Sequence, residues 1–245
     1  MMYMWQKDWF NIQFSDICKL DPLNLATNDF YDKFYEKFYS KYSNYQELPK
    51  QWRDEKLKVV SFLSEIINNK KNILSIGCGN GFIETELSKL DYSKKLGGGI
   101  VSIEPSINAS KWLNNELSIV HLMGYFPQAL KDTKYNDFDF VYTSAIDYVF
   151  NDKEYIKFIK SIRDYCIKDV CFINLTIHAG GFFNDLKSKL NMFLHRIGFH
   201  RRQEQFWGYK RTMNEQINCF KKAGFLNISY GCIDEKIYWI RCKDE

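Results

Sequence analysis

Three glycines at alternate positions, Gly77, Gly79 and Gly81, follow the apolar run Ile73-Leu74-Ser75-Ile76 and lead into Phe82-Ile83 at the head of a helix-like pattern. That order predicts a buried parallel strand, a tight turn and a helix N-terminus. Glycine allows positive φ in such a turn and leaves no Cβ between the main chain and a ligand resting on it. The first N–H groups of the helix stay open to that ligand's polar atoms. Cys78 and Asn80 share the turn with the glycines. A second apolar run, Ile100-Val101-Ser102-Ile103, ends in Glu104-Pro105, the acid lying 23 residues beyond Gly81. A carboxylate at the end of the neighbouring strand accepts hydrogen bonds from both hydroxyls of a ribose, so turn and acid together suit a nucleoside. The glycine spacing is one residue tighter than the Gly-x-Gly-x-x-Gly of dinucleotide-binding turns.

Proton-handling candidates lie further on. Ser144-Ala145-Ile146-Asp147-Tyr148 follows the apolar stretch Phe138–Thr143, and His178 follows Val170–Leu175. Ligand sites of parallel sheets gather beyond the carboxyl ends of the strands, where both segments belong. A histidine, with an ordinary pKa of ~6.5, suits a base at neutral pH. Each candidate also has a structural reading: His178 as a satisfied strand-end group, Asp147 as a helix cap. Between 195 and 211, Arg196, Arg201, Arg202, Lys210 and Arg211 face one acid, Glu204, which equals the whole chain's net charge of +4. Guanidinium groups bind phosphate or carboxylate through paired hydrogen bonds. The rival account is a solvated basic loop.

The elements that must position these residues can be read from periodicity. Aromatics at 31, 35, 38, 42 and 45 predict an amphipathic helix, preceded by an irregular or partly helical cover over 1–28. Pro49 opens a second helix through about Ile67. A short helix follows the glycine turn, and Gly97-Gly98-Gly99 reads as a connector into the second strand. A helix near Asn108–Glu116 leads to a third strand, Ile119–Met123; a fourth covers Phe138–Thr143, and a helix runs to about Tyr165. After the fifth strand, Phe182–Leu194 reads as helical, Thr212–Ala223 as a helix stopped by Gly224, and Ile228–Ile233 with Ile237–Ile240 as a closing hairpin.

Over residues 50–245 these features resemble the class I S-adenosylmethionine-dependent methyltransferases of small-molecule type. The resemblance rests on the tight glycine turn, on Glu104, on Phe138-Asp139 opening the fourth strand, and on Ala223-Gly224-Phe225 before the hairpin. It departs at Ser75, where the family usually has an acid, and at Tyr125-Phe126, where an acid often meets the adenine amino group. The resemblance implies an α/β fold: a Rossmann-like, seven-stranded, mostly parallel sheet with a C-terminal antiparallel hairpin and helices on both faces. Residues 1–49 would form an aromatic helical cap, and about 179–210 a substrate-specific insertion. S-adenosylmethionine would be the cofactor, held by Gly77, Cys78, Gly79, Asn80, Gly81, Glu104, Pro105 and Ser144, with Tyr125 and Phe126 stacking on adenine. His178 or Asp147 would act as base, and Tyr148, Arg196, Arg201 and Arg202 would bind the acceptor. That acceptor would be a small polar, anionic metabolite, such as a sugar or phosphate-bearing sugar precursor, methylated on oxygen in preference to nitrogen. The general look is that of bacterial enzymes that modify surface carbohydrates.

Composition sets the remaining limits. At 245 residues, 45% hydrophobic and 26% charged, the chain suits one α/β domain with an extension. Seven scattered cysteines without C-x-x-C spacing point to reduced thiols in the cytoplasm, with no metal site. No signal peptide or spanning run is apparent, so no membrane partner is expected. The absence of Asn/Asp-Pro-Pro-Tyr/Phe and the shortness of the basic stretch argue against nucleic acid. Two rivals remain: an NAD(P)-dependent oxidoreductase or epimerase, and a catalytically silent nucleoside-binding partner. Oligomeric state is left open.

Overall fold

The computed structural model describes residues 1–68, 70, 72–90, 99–113, 118–135, 137–165, 169–199 and 204–243. Its central sheet holds β4 (Asn72–Ile76), β5 (Gly99–Glu104), β6 (Ile119–Met123), β7 (Phe140–Ser144), β8 (Val170–Asn174), β10 (Asn227–Cys232) and β11 (Tyr238–Lys243), in the order β10-β11-β8-β7-β4-β5-β6. The pairs β6·β5, β5·β4, β4·β7 and β7·β8 are parallel; β11 runs antiparallel to both β8 and β10. This is the expected seven-stranded sheet with its C-terminal hairpin.

Alternation along β4 explains why both faces are covered. Leu74 and Ile76 point to one side, joining Val141, Phe172 and Ile240 against α4 (Asp152–Tyr165) and α6 (Met213–Lys222). Ile73 points to the other, joining Ile100, Phe140 and Ile173 against α2 (Lys50–Ile67) and α3 (Phe82–Lys89). Strands buried on both faces read as continuous apolar runs, which is how the sequence shows them.

The N-terminal segment departs most from expectation. Met2–Gln6 is a strand, β1, paired antiparallel with β9 (Gln205–Lys210), a strand within the stretch expected to be a solvated basic loop or an anion site. A partner some 200 residues away leaves no local period to read, and aromatic residues suit a strand once such a partner exists. A small hairpin of β2 (Asp8–Trp9) and β3 (Ile12–Gln13) follows, then α1 (Asn28–Lys41), capped by Thr27 Oγ1 accepting from the Phe30 N–H. α1 stops at Lys41, short of the expected Tyr45, because Tyr42 is extended. Phe10, Phe14, Phe34 and Phe38 form an aromatic cluster that also takes in Ala109 and Trp207, so the cap packs into the main sheet's loops. Residues 107–113 form turns in place of the expected helix, whose remainder, with Gly97, Gly98, His200, Arg201 and Arg202, lies outside the described residues. α5 (Phe182–Arg196) matches the helix expected over Phe182–Leu194.

Candidate active site

The sheet reverses its strand order between β4 and β7, and the loops after β4, β5, β7 and β8 share its carboxyl edge. A crevice at such a switch point is where open α/β sheets hold ligands. Gly77, Gly79 and Gly81 have φ of +73°, +58° and +76°, the left-handed region that favours glycine. A Cβ on Gly81 would stand 2.1 Å from Leu113, and one on Gly77 would stand 2.6 Å from Ile146. Gly79 faces Tyr35 of α1: a Cβ there would lie 3.1 Å from its hydroxyl. Asn80 is buried; its Oδ1 accepts from the Phe82 N–H and its carbonyl accepts from Tyr45 Oη, which pins the turn to the cap. Cys78 is part-buried, and burial pushes its thiol well up.

Glu104 sits directly against this turn. Its Oε2 accepts the Gly79 N–H at 3.0 Å and its Oε1 accepts the Ser106 N–H at 3.1 Å, across Pro105. Burial pushes the carboxyl up to about 7, opposed by those two donors. Each oxygen keeps a lone pair that can take a hydroxyl. Tyr31, Tyr35 and Tyr148 surround it: Tyr31 and Tyr148 hydroxyls lie 3.4 Å apart, and Tyr148 stacks on Trp207 at 5.7 Å. Burial pushes Tyr148 up to about 12. The acid thus lies under an aromatic roof supplied by α1 and the turn after β7, with Trp207 of β9 stacked on Tyr148.

A buried polar cluster behind the turn was not foreseen. Glu84, on the first turn of α3, accepts from Ser75 Oγ at 2.6 Å and from Tyr142 Oη at 2.7 Å, while its Oε2 has no hydrogen-bond partner among the described residues. Burial raises its carboxyl above the usual range. Lys56 of α2 donates to Ser144 Oγ at 3.2 Å, and burial lowers it to about 8 against the pull of Glu84. Ser75, standing where the resemblance calls for an acid, is therefore bonded to one brought in by α3. The signals were present: a glutamate among the apolar residues of α3, and a lysine on the Trp52-Val60-Leu63 stripe of α2.

Positive-φ glycines, a strand-end acid beside them, and a buried acid with a half-buried lysine behind form a donor and acceptor set that fits S-adenosylmethionine. Gly79 and Glu104 suit the nucleoside; Glu84 and Lys56 carry opposite charges of the kind its zwitterionic methionine end would meet.

Asp147 lies in the turn after β7, its Oδ1 without a hydrogen-bond partner among the described residues. It is 1% exposed, and its Oδ2 accepts from Thr176 Oγ1 and from Gln216 Nε2 at 2.8 Å. Its carbonyl accepts from Arg211 Nη1 at 3.0 Å. Arg211, expected in a solvated or anion-binding stretch, is instead 0% exposed; it also holds Asp152 at 2.9 Å and lies 4.7 Å from the Tyr155 ring centroid. These groups tie the post-β7 loop to α4 and α6.

His178 lies beside a cavity of about 330 Å³ lined by Tyr3, Gly180, Asn184, Lys187 and Asn191. Its Nδ1 accepts the Gly180 N–H at 3.0 Å, so the neutral ring carries its proton on Nε2. That nitrogen is 4.0 Å from Asp185 Oδ1 and 4.0 Å from Glu215 Oε2. In this arrangement neutral His178 is a donor, and a base role would require it to give up Gly180. Arg196 is exposed at the end of α5. Tyr125 is exposed and donates to Asn28 Oδ1, whereas Phe126 packs edge-on against Phe158 and Tyr165 of α4, which commits its ring to the core side. Among the described residues no cluster could hold a metal ion, and no helix is long and apolar enough to cross a membrane.

No family model matches the chain, and no curated protein does. Solved structures do. Human N-acetylserotonin methyltransferase in complex with SAM superposes with a TM-score of 0.60 at 17% identity, over 89% of this chain and 56% of that one. Mitomycin 7-O-methyltransferase MmcR gives 0.58 at 13%, over 89% and 57%. DhpI in its SAM-HEP complex gives 0.58 at 12%, over 88% and 94%. The chain thus spans just over half the length of the first two and nearly all of the third. Strand order, glycine turn and these superpositions agree: the fold is that of the class I S-adenosylmethionine-dependent methyltransferases.

Proposed function

We propose that the chain is an S-adenosylmethionine-dependent methyltransferase that methylates an oxygen of a small, polar, anionic acceptor such as a sugar or phosphate-bearing sugar precursor. The observation that carries this reading is Glu104 seated on the Gly79 N–H at the switch point, with lone pairs left for ribose hydroxyls. The bound sulfonium would supply an electrophilic methyl group. The protein's own task is alignment, which can be worth on the order of 7–11 kcal/mol for well-held reactants. Gly77–Gly81 and Glu104 fix the nucleoside, Lys56 and Glu84 meet the charged tail, and the tyrosine roof excludes water. The cavity beside His178 lies on the same carboxyl edge, where Lys187, Asn184 and Asn191 offer a cation and amides to a polar acceptor. Transfer to an oxygen that is itself ionised, of a phosphate or carboxylate, releases no proton and needs no base; transfer to a sugar hydroxyl releases one, which His178 Nδ1 would take on giving up the Gly180 N–H.

The oxidoreductase alternative fits less well, because β11 runs antiparallel between β8 and β10 whereas the dinucleotide fold continues in parallel. Incubating the protein with S-adenosylmethionine and a panel of sugar phosphates, with mass detection of the methylated product, tests the reading. Methyl transfer to neutral aromatic acceptors alone would refute the acceptor class. Tight S-adenosylhomocysteine binding without turnover on any acceptor would favour the silent-partner alternative.

A further inference from the structure

The insertion helix α5 has two faces of different character. Ser188, Met192 and His195 are buried against the molecule. On the opposite side Phe182, Phe183, Leu186, Leu190, Phe193 and Ile197 are each 51–82% exposed. Their steps of three and four place them within an arc of about 100°. Six side chains of this size expose on the order of 700 Å², more than the largest apolar patch of a typical monomer. Exposed cations bracket the arc, Lys187 on one edge and Lys189 with Arg196 on the other, while Asp185 is the single acid of the helix.

We propose that this face docks in the plane of a bilayer surface carrying anionic headgroups. The apolar arc would enter the acyl boundary while the three cations meet headgroup phosphates, the arrangement of an interfacial amphipathic helix. Lysine stems reach outward along such a face and keep their charge in water. Charge argues against a second copy as the occupant. A two-fold axis normal to the helix would set the Lys189 and Arg196 edge of one copy against the same edge of the other, with no acid to offset it. The expectation of no membrane partner rested on spanning segments and does not reach a helix lying in the interface. Lys187 also lines the cavity beside His178, so docking would bring that cavity's rim to headgroup level.

Flotation of the full chain with vesicles of phosphatidylcholine alone, or of equal parts phosphatidylcholine and phosphatidylglycerol, tests this, with size-exclusion light scattering in parallel. The expected result is recovery with the anionic vesicles, weakened by added salt. Lys189→Gln should lower the partition about fivefold, at about 1 kcal/mol per basic residue. Phe183→Ser with Leu190→Ser should abolish it. Because these side chains are exposed, an unchanged thermal midpoint in each variant shows that the loss is one of docking. Four outcomes would overturn the proposal. The chain stays in the aqueous fraction, floats equally with neutral vesicles, or floats undiminished in the variants. Alternatively, light scattering finds a dimer that Phe183→Ser with Leu190→Ser converts to monomer without any vesicle binding, which assigns the face to self-association.

Discussion

If Glu104 holds the ribose as proposed, nucleoside binding depends on pH in a calculable way. Its carboxyl is pushed up to about 7 by burial beneath the tyrosines, and only the ionised form accepts both ribose hydroxyls. If binding requires that form, the apparent dissociation constant is multiplied by one plus the ratio of protonated to ionised carboxyl. At pH 8 this factor is about 1.1 and at pH 6 about 11, so S-adenosylhomocysteine should bind roughly tenfold tighter at pH 8, about 1.4 kcal/mol. The free protein should respond in the opposite sense. A carboxyl whose pKa is raised by folding contributes stability that is fully present below its unfolded pKa and lost as pH rises through about 7. Isothermal calorimetry for the affinity and urea unfolding for the stability, at pH 6, 7 and 8 on the wild type and on Glu104→Gln, give both readings. The variant should bind weakly and without this pH dependence. A wild-type affinity that is flat from pH 6 to 8, or a slope that survives Glu104→Gln, would refute the assignment of the titrating group.

Further substitutions test the site's framework. Gly81→Ala should cost about 1–2 kcal/mol for its positive φ and a further ~1–3 for overpacking against Leu113, whereas Gly198→Ala, at φ +81° with nothing within 4 Å, should cost only the first part. Equal midpoints in urea would contradict the steric reading. Arg211→Ala leaves the buried carbonyl of Asp147 and the part-buried one of Phe150 without a donor, while the half-exposed Asp152 turns to water, and should destabilise by about 2–4 kcal/mol, lowering the thermal midpoint by about 10 °C. A shift within 2 °C, on the order of experimental scatter, would show that water replaces it. Glu84→Ala strips Ser75 and Tyr142 of their acceptor at about 1–3 kcal/mol each, while Glu84→Gln keeps an oxygen for both. A Gln variant as unstable as the Ala variant would mean that charge, not hydrogen bonding, matters there.

The parallel core was legible because its strands are buried on both faces and write themselves as apolar runs; Ile119–Met123 was placed to the residue. The closing hairpin and the capping-box helix after Thr212 were legible for similarly local reasons. What escaped depended on distant partners. β1 becomes a strand only through β9, and Arg211 becomes a core residue only because Asp152, Asp147 and Phe150 converge on it. The glycine turn and its neighbouring acid were readable because glycine spacing and a strand-end acid are themselves geometric constraints. Side-chain roles were harder: whether His178 donates or accepts is decided by the Gly180 N–H, and Asp147 by Thr176 and Gln216. None of these contacts has a sequence period.

The most direct test of the central claim compares S-adenosylhomocysteine with NADH by calorimetry on the wild type and on Glu104→Ala. The account predicts that the wild type binds the homocysteine nucleoside and not the dinucleotide. Removing the acid should weaken it at least thirtyfold, at about 2 kcal/mol or more for two hydrogen bonds to a charged acceptor. Preference for NADH, or equal affinity in wild type and variant, would contradict it.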